Sequence, residues 1–331
     1  MKSSVSDFVI DIHAHAVLEE TFEQAGEFGP SLYNEDDGTP VFRIGEYQLR
    51  NVPYRGSAFM DPDVRIAAMD RSGIGYQLLS PNPLTYFHYI PAPDAIRFCR
   101  QHNDALAKLV ANYPDRFGGA AALPMQDIPA AIDELDRAVK ELGLRAAYIG
   151  TDLPGGLDSA GMDDFYAKVV ELNVPLFLHP APAGIDGPAG NPALKKYELD
   201  ILAGFTMQET IAVATLIFGG VLHRHQDIDI CISHGGGALA LIWGRLAHAA
   251  HKRRWVPEQL RADGAFEAEA QRLWFDIHMH DDRALELLVE RVGTSRLVYG
   301  TNFAGWDAPE RFETPQVDIP LADNARRLLR L

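Results

Sequence analysis

A chain of 331 residues, 47% apolar and 23% charged, is long enough for one large α/β domain and carries no low-complexity or solenoid-length repeat. Its formal charge of −16 excludes a broad nucleic-acid-binding or anionic-membrane surface, so an anionic ligand has to be captured by local arginines. The two cysteines, Cys99 and Cys231, exclude a disulfide framework and a thiolate metal site and fit a reducing cytoplasm; the opening MKSSVSDFVIDIHAH is too short in apolar residues for an export signal, and charges interrupt every later apolar stretch.

In chain order, short apolar β-rich runs alternate with longer amphipathic stretches. FVIDIHAH, YQLLSPN, GGAAALP, AAYIGT, PLFLHP, DICISHGGG, LWFDIHMH and LVYGTN read as strands, and IPAAIDELDRAVKELG and MDDFYAKVVELN as helices whose apolar residues return every three or four positions. Eight βα units predict an α/β fold, a (β/α)8 barrel of the triosephosphate isomerase type, formed by residues 1–331 as a single domain. Residues 17–60 interrupt the scheme after the first strand. They read as a small insertion or lid near the barrel mouth, with VFRIGEYQLRNV as a hairpin. NPALKKYELDILAGFTMQET reads as a second long loop or helix over the same face.

Function in such a barrel belongs to the C-terminal ends of the strands. His13 and His15 stand two apart in the first predicted strand, which puts both imidazoles on one face, with Asp11 expected to share it. One HxH is weak by itself. His179 ends the fifth strand in FLHP and His234 ends the sixth in ISHGGG, so four histidines converge from three strands. Neutral imidazoles are preferred ligands of zinc and similar ions, and a catalytic site keeps one position open. His234 is assigned to acid/base work, because a histidine beside such a site exchanges protons near neutral pH. Gly235, Gly236 and Gly237 either open a helix whose N–H groups hold a carboxylate or form a tight turn without a ligand. His278 and His280 make a second HxH, with His280 able to touch substrate if the register turns it inward, whereas His223 and His225 read as surface residues. Tyr86, Phe87, Tyr89 and Phe205 are candidates for an aromatic pocket or for packing.

The ordered series DIHAH, DPDVRIAAMDRSGI, NDALAKLVANYPDRFGGAAALPMQD, AVKELGLRAAYIGT, FLHP, ETIAVATLIFGGVL, ISHGGGALALIWGR and LVYGTN resembles the 2-amino-3-carboxymuconate-6-semialdehyde decarboxylase-like branch of the amidohydrolase superfamily over most of the chain. The resemblance implies one divalent metal ion per subunit, zinc or manganese, held by His13, His15 and His179, with His234 as acid/base. The aspartate of the family's GTD motif falls on Asn302, implied as both ligand and catalytic residue although an amide lacks the carboxylate's charge; Asp307 and Glu310 follow it. Arg55 and Arg245 match the family's substrate arginines, and the second implies a homodimer or higher homo-oligomer in which it reaches the neighbouring site. The activity implied is non-oxidative decarboxylation of a small unsaturated or aromatic carboxylate. The alternatives are hydrolysis or hydration of a ring-cleavage product and a non-catalytic barrel that binds aromatic acids.

Overall fold

Eight parallel strands, each hydrogen-bonded to the next, surround the centre of the protein, whose computed structural model describes residues 9–181, 192–303, 305, 307–308 and 318–331. In chain order they are β1 (Val9–Ala16), β5 (Ile74–Pro81), β6 (Phe117–Ala122), β7 (Ala146–Gly150), β8 (Leu176–His179), β9 (Ile230–Ile232), β10 (Trp274–Asp276) and β11 (Leu297–Val298). The residues after β11 close the ring: Ile12 N donates to Tyr299 O at 3.0 Å, Phe303 N donates to His13 O at 3.2 Å, and Ala14 bridges Phe303 in parallel register. All eight predicted strands are present, in a (β/α)8 barrel.

The helices follow from local chemistry. Asp61, Asp127 and Asp281 each accept backbone N–H groups as N-caps of α1 (Pro62–Arg71), α3 (Ile128–Lys140) and α10 (Asp282–Val292), and a proline stands in the first turn of the first two. In α3 the buried Ala131, Leu135 and Ala138 recur at helical spacing and face the sheet. The last helix, α11 (Leu321–Leu329), brings Ala325, Leu328 and Leu329 into the apolar cluster of the barrel interior with Leu78, Tyr148, Phe177, Cys231, Trp274 and Val298. Asn324 Nδ2 ties it to Leu297 O at 2.7 Å, at the N-terminal end of β11. That end of the barrel is plugged, which leaves the C-terminal end for a site.

The insertion holds three strands rather than one hairpin. β2 (Ser31–Asn34) pairs antiparallel with β3 (Pro40–Ile44), and a two-residue turn at Gly45 and Glu46 leads into β4 (Tyr47–Arg50). The four residues SLYN were too short to announce a strand of their own. The sheet packs Phe42 and Ile44 with Leu84, Phe87, Phe98 and Ala122, on the side where β5 and β6 end. The second expected cover forms α5 (Leu199–Leu202) and α6 (Gly204–Phe218). Leu199–Phe218 has a mean hydropathy of 1.6 and the length to cross a membrane, yet its Glu209 is fully buried against the barrel.

One expectation is corrected. Asp11 opposes Gln77 while Ala14 opposes Leu79, so β1 spends three positions where β5 spends two, a β-bulge. Before it, Ile10 and Ile12 join the interior cluster; after it, Ala14 and Ala16 join the layer between sheet and helices. Asp11 therefore does not share the face of His13 and His15. Its carboxylate accepts Thr301 Oγ1 at 2.7 Å and Gln77 Nε2 at 2.9 Å, and Gln77 Oε1 accepts Arg65 of α1 at 3.0 Å. Burial pushes the Asp11 carboxyl up to about 6, against the opposing pull of these partners.

α2 (Ala92–Asn112) carries His102 into the interior, where burial pushes its pKa down to about 4. The unfolded chain protonates this histidine below about pH 6.5, so between there and pH 4 the unfolded state binds more protons and stability is lost as the pH is lowered. His102→Leu should remove about 3 kcal/mol of that acid sensitivity, read as the difference between wild-type and variant urea curves at pH 7 and pH 4. Parallel pH dependences would show that His102 is not held neutral.

Candidate active site

Three buried imidazoles meet at the C-terminal mouth. His13 and His15 arrive from the bulged end of β1 and His179 from the end of β8, with ring centroids 4.7–5.0 Å apart, and one ligand atom from each lies within 4.8 Å of the other two. Each ring is held by Nδ1. Asp276 Oδ2 accepts from His13 at 2.9 Å, the Pro81 carbonyl from His15 at 3.0 Å and the Pro180 carbonyl from His179 at 2.6 Å. A carboxylate and two carbonyls only accept, so the Nδ1 atoms carry the protons and the three Nε2 lone pairs face one another. His13 Nε2 and His15 Nε2 are 3.2 Å apart, and the buried His179 Nε2 has no hydrogen-bond partner among the described residues.

Burial drives all three histidines toward the neutral form, that of His15 to about 3, and their mutual repulsion adds to this for His13 and His179. Two lone pairs in contact and a third left unpaired are unfavourable with nothing between them; an unsatisfied buried acceptor alone costs about 1–3 kcal/mol. A cation reverses the sign of each term. The donor set therefore fits a divalent metal, with Asp276 behind His13 as the carboxylate that orients a ligating histidine.

His234 follows β9 in a left-handed conformation, φ 47°, and the positive-φ glycines 235, 236 and 237 continue the turn. A Cβ on Gly237 would lie 1.9 Å from Thr206 O, so glycine is what lets this turn pack against α6. One turn further along α6, Glu209 Oε1 accepts His234 Nδ1 at 2.7 Å and the Ser233 hydroxyl. Burial opposes the imidazolium, but the Glu209 carboxylate outweighs it and pushes the His234 pKa up to about 9. With Nδ1 on Glu209, Nε2 is the proton-bearing atom left for the cavity. The backbone N–H groups of Gly236, Gly237 and Ala238 are bonded to Ser233 O, His234 O and Thr210 Oγ1, so the tight-turn reading of the triple glycine holds and the anion-cradle reading does not.

The second HxH divides. His278 is buried beside the site, its ring 5.7 Å from that of His13 and 5.6 Å from that of His234, while the side chain of His280 is 65% exposed at the rim. Both approach Asp307 Oδ2, at 3.1 and 3.4 Å. Asn302 Nδ2 donates to the other oxygen of Asp307, so its amide nitrogen is committed and its carbonyl oxygen is the atom left to face a cation. Burial works against the Asp307 carboxylate, but the His278 and Asn302 hydrogen bonds hold it below the usual range. Glu310 lies outside the described residues.

Arg55 forms an exposed ion pair with Glu19 at 2.6 Å, and Arg245 is exposed on α8 (Leu239–Lys252). Within one chain neither is brought to the histidines. Of the aromatic candidates, Tyr86 and Phe205 come within 6.4 and 5.8 Å of the His179 ring, whereas Phe87 packs on Phe98 and Tyr89 on Phe28. His223 is exposed and His225 is half-buried on Asp163, both away from the mouth. Sequence reasoning missed Glu209, Tyr148 and the role of Asp276. Tyr148, 6.2 Å from both His15 and His179, was marked only by inward alternation along its strand, and Glu209 only as the lone acid in the apolar run TMQETIAVATL.

The sequence profile of the amidohydrolase family matches residues 10–331. The 2-amino-3-carboxymuconate-6-semialdehyde decarboxylase of Dictyostelium discoideum is 31% identical over 244 residues, 73% of this chain and 66% of that protein. The γ-resorcylate decarboxylase of Rhodococcus jostii (strain RHA1) is 30% identical over 261 residues, 75% of this chain and 72% of that one. Among solved structures, a dihydroxybenzoic acid decarboxylase from Polaromonas sp. JS666, with bound manganese and the inhibitor 2-nitroresorcinol, shares the fold at a TM-score of 0.75 and 23% identity, over 98% of this chain and 97% of that one. With its three-histidine centre and its matches over most of the chain, the protein belongs to the amidohydrolase family, in the branch of the 2-amino-3-carboxymuconate-6-semialdehyde and γ-resorcylate decarboxylases.

Proposed function

We propose that the protein is a non-oxidative decarboxylase of a small aromatic or unsaturated carboxylic acid, working as one barrel domain with residues 17–60 as its insertion. The observation that carries this reading is the pairing, in one cavity, of three neutral imidazoles with converging Nε2 atoms and a fourth, His234, kept protonated by Glu209. His13, His15 and His179 would hold one divalent ion, with the Asn302 oxygen as a further donor. The manganese of the Polaromonas structure supports a divalent ion, and the nitrogen-rich donor set suits zinc equally. When bound, the ion supplies Lewis acidity beside the negative charge that develops on the substrate.

The residues of the chain do the rest. His234 donates the Nε2 proton to the carbon that bears the carboxylate; the C–H bond forms, the C–C bond breaks, and its electron pair returns to the unsaturated system as CO2 departs. Glu209 stabilises the imidazolium before transfer and fixes which nitrogen points inward. Tyr86, Tyr148 and Phe205 give a planar substrate faces to lie against. His280 at the rim and Arg245 from a neighbouring copy in a homodimer are assigned to the substrate's anionic groups, and Arg55 joins them only by leaving its exposed pair with Glu19. The buried, free Cys99 and Cys231 fit a cytoplasmic enzyme.

Protein loaded with manganese or zinc and given γ-resorcylate, related hydroxybenzoates or 2-amino-3-carboxymuconate-6-semialdehyde should release CO2 with no 18O from labelled water in the organic product. Labelled product without CO2 would assign hydrolysis or hydration instead. His234→Asn should lower kcat by about 10²- to 10⁴-fold with little change in KM, and Glu209→Gln should act in the same direction by less. An unchanged kcat in His234→Asn would remove His234 from the chemistry. Asp276→Asn should weaken metal binding by about 10- to 100-fold in a chelator competition, because the neutral amide orients His13 less firmly. Equal affinities would show that Asp276 supports the fold and not the ion.

A further inference from the structure

We propose that His278 and Asp307, with His234 and the rim residue His280, form a second divalent-cation site directly beside the first. The proposal rests on the reading of His13, His15 and His179 as the first site, and it accounts for His278, the half of the second HxH that the decarboxylation chemistry leaves unused.

One ligand atom from each of His234, His278 and Asp307 lies within 4.8 Å of the other two. His278 Nε2 and His280 Nε2 converge on the same carboxylate oxygen, Asp307 Oδ2. His234 is anchored through Nδ1, so Nε2 is the atom it offers. His278 is anchored through its backbone: its N–H donates to Asp276 Oδ1 at 3.0 Å, while the other oxygen of Asp276 holds the His13 ring. A single buried carboxylate thus fixes a ligand of each site. The His13 ring stands 5.0 Å from that of His234 and 5.7 Å from that of His278, so the two clusters are neighbours in one cavity. Imidazoles with one carboxylate are the borderline-soft donors that zinc and manganese accept, and Asn302, by bonding Asp307, fixes the direction from which that carboxylate approaches.

The two sites compete for one atom. A cation in the second site takes His234 Nε2, the atom that delivers the proton, so filling it suppresses turnover. The second site is the weaker one, because its carboxylate lies on the turn after Asn302 and His280 is exposed, whereas all three residues of the first are buried.

The test is equilibrium dialysis of metal-free, full-length protein against Zn2+, with bound ions counted by plasma mass spectrometry, and the same series with Mn2+ followed by electron paramagnetic resonance. Wild type should take up two ions per chain, one weakly, and two Mn2+ should give a broadened, exchange-coupled spectrum. Asp307→Asn and His278→Asn should each keep one ion and return the six-line spectrum of isolated Mn2+; that retained ion reports a folded chain, and the two changes lie on different segments, so either suffices. His13→Asn should lose the tighter ion. One ion in wild type, lost in His13→Asn, overturns the second site and leaves the first standing. One ion that survives His13→Asn and is lost in Asp307→Asn overturns the first. Two ions retained in both Asp307→Asn and His278→Asn, or two Mn2+ with uncoupled spectra, overturns the proposal.

Discussion

The bulge in β1 decides which way every side chain in the first half of the site points. A strand that kept its alternation from Ile10 and Ile12 would send His13 and His15 out among the helices, because successive residues face opposite sides of a sheet. The extra position between Asp11 and Ala14 reverses the alternation, and the imidazoles enter the mouth. Something has to hold that irregularity against relaxation. Asp11 does so from the outer face, since its two oxygens bind Thr301, Gln77 and the His13 backbone N–H, and the buried Arg65 links the same network to His15 O. A carboxylate removed from water is costly unless its hydrogen bonds are complete. The Asp11 network is therefore specific to the bulged register, since a one-residue slip would strand it.

From that constraint follows a division of charge inside one small cavity. Burial acts on His13, His15, His179 and His234 alike and favours the neutral form of each. What separates them is the acceptor behind Nδ1. Carbonyls stand behind His15 and His179, and a carboxylate already shared with the His278 backbone stands behind His13; His234 alone has Glu209, buried on α6 and supported by Ser233. Three ligand-ready imidazoles and one imidazolium therefore coexist in one cavity, with the His234 ring 5.0 Å from that of His13 and 5.2 Å from that of His179.

Most of the barrel was legible because its signals are local. Short apolar β-rich runs mark the strands, apolar residues returning every three or four positions mark the helices, and a histidine at the end of a strand lies at the mouth whatever the details of packing. The features that escaped depend on pairing. A bulge is a property of two strands, and DIHAH alone does not reveal that Gln77 faces Asp11; the expectation that Asp11 would share the histidine face failed there. Glu209 sits in an apolar helix where a single acid reads as incidental until the turn at Gly237 brings Ser233 and His234 against it. Phe87 and Tyr89 looked like Tyr86, but the positive φ of Phe87 turns the chain, and their rings cover the small insertion sheet instead of the mouth.

The exchange of carboxylate for amide at position 302 has a consequence for what the site attracts. Under the proposed ligand set, three neutral imidazoles and a neutral amide would bring no negative charge into contact with a divalent ion, so the ion would keep its full charge toward the open side. The nearby carboxylates are each one layer back and spent on a histidine: Asp276 on His13, Glu209 on His234, Asp307 on His278. With the His234 imidazolium alongside, a bound ion would turn positive charge toward the open side while the three carboxylates that balance it stand behind the histidines, in a chain whose formal charge is −16. Field lines in a narrow, low-dielectric mouth are focused there, and a carboxylate that the surface repels at long range is drawn in at short range. On the proposed reading, selection for small anions would begin with the arrangement of charge in the barrel mouth, whatever the arginines add.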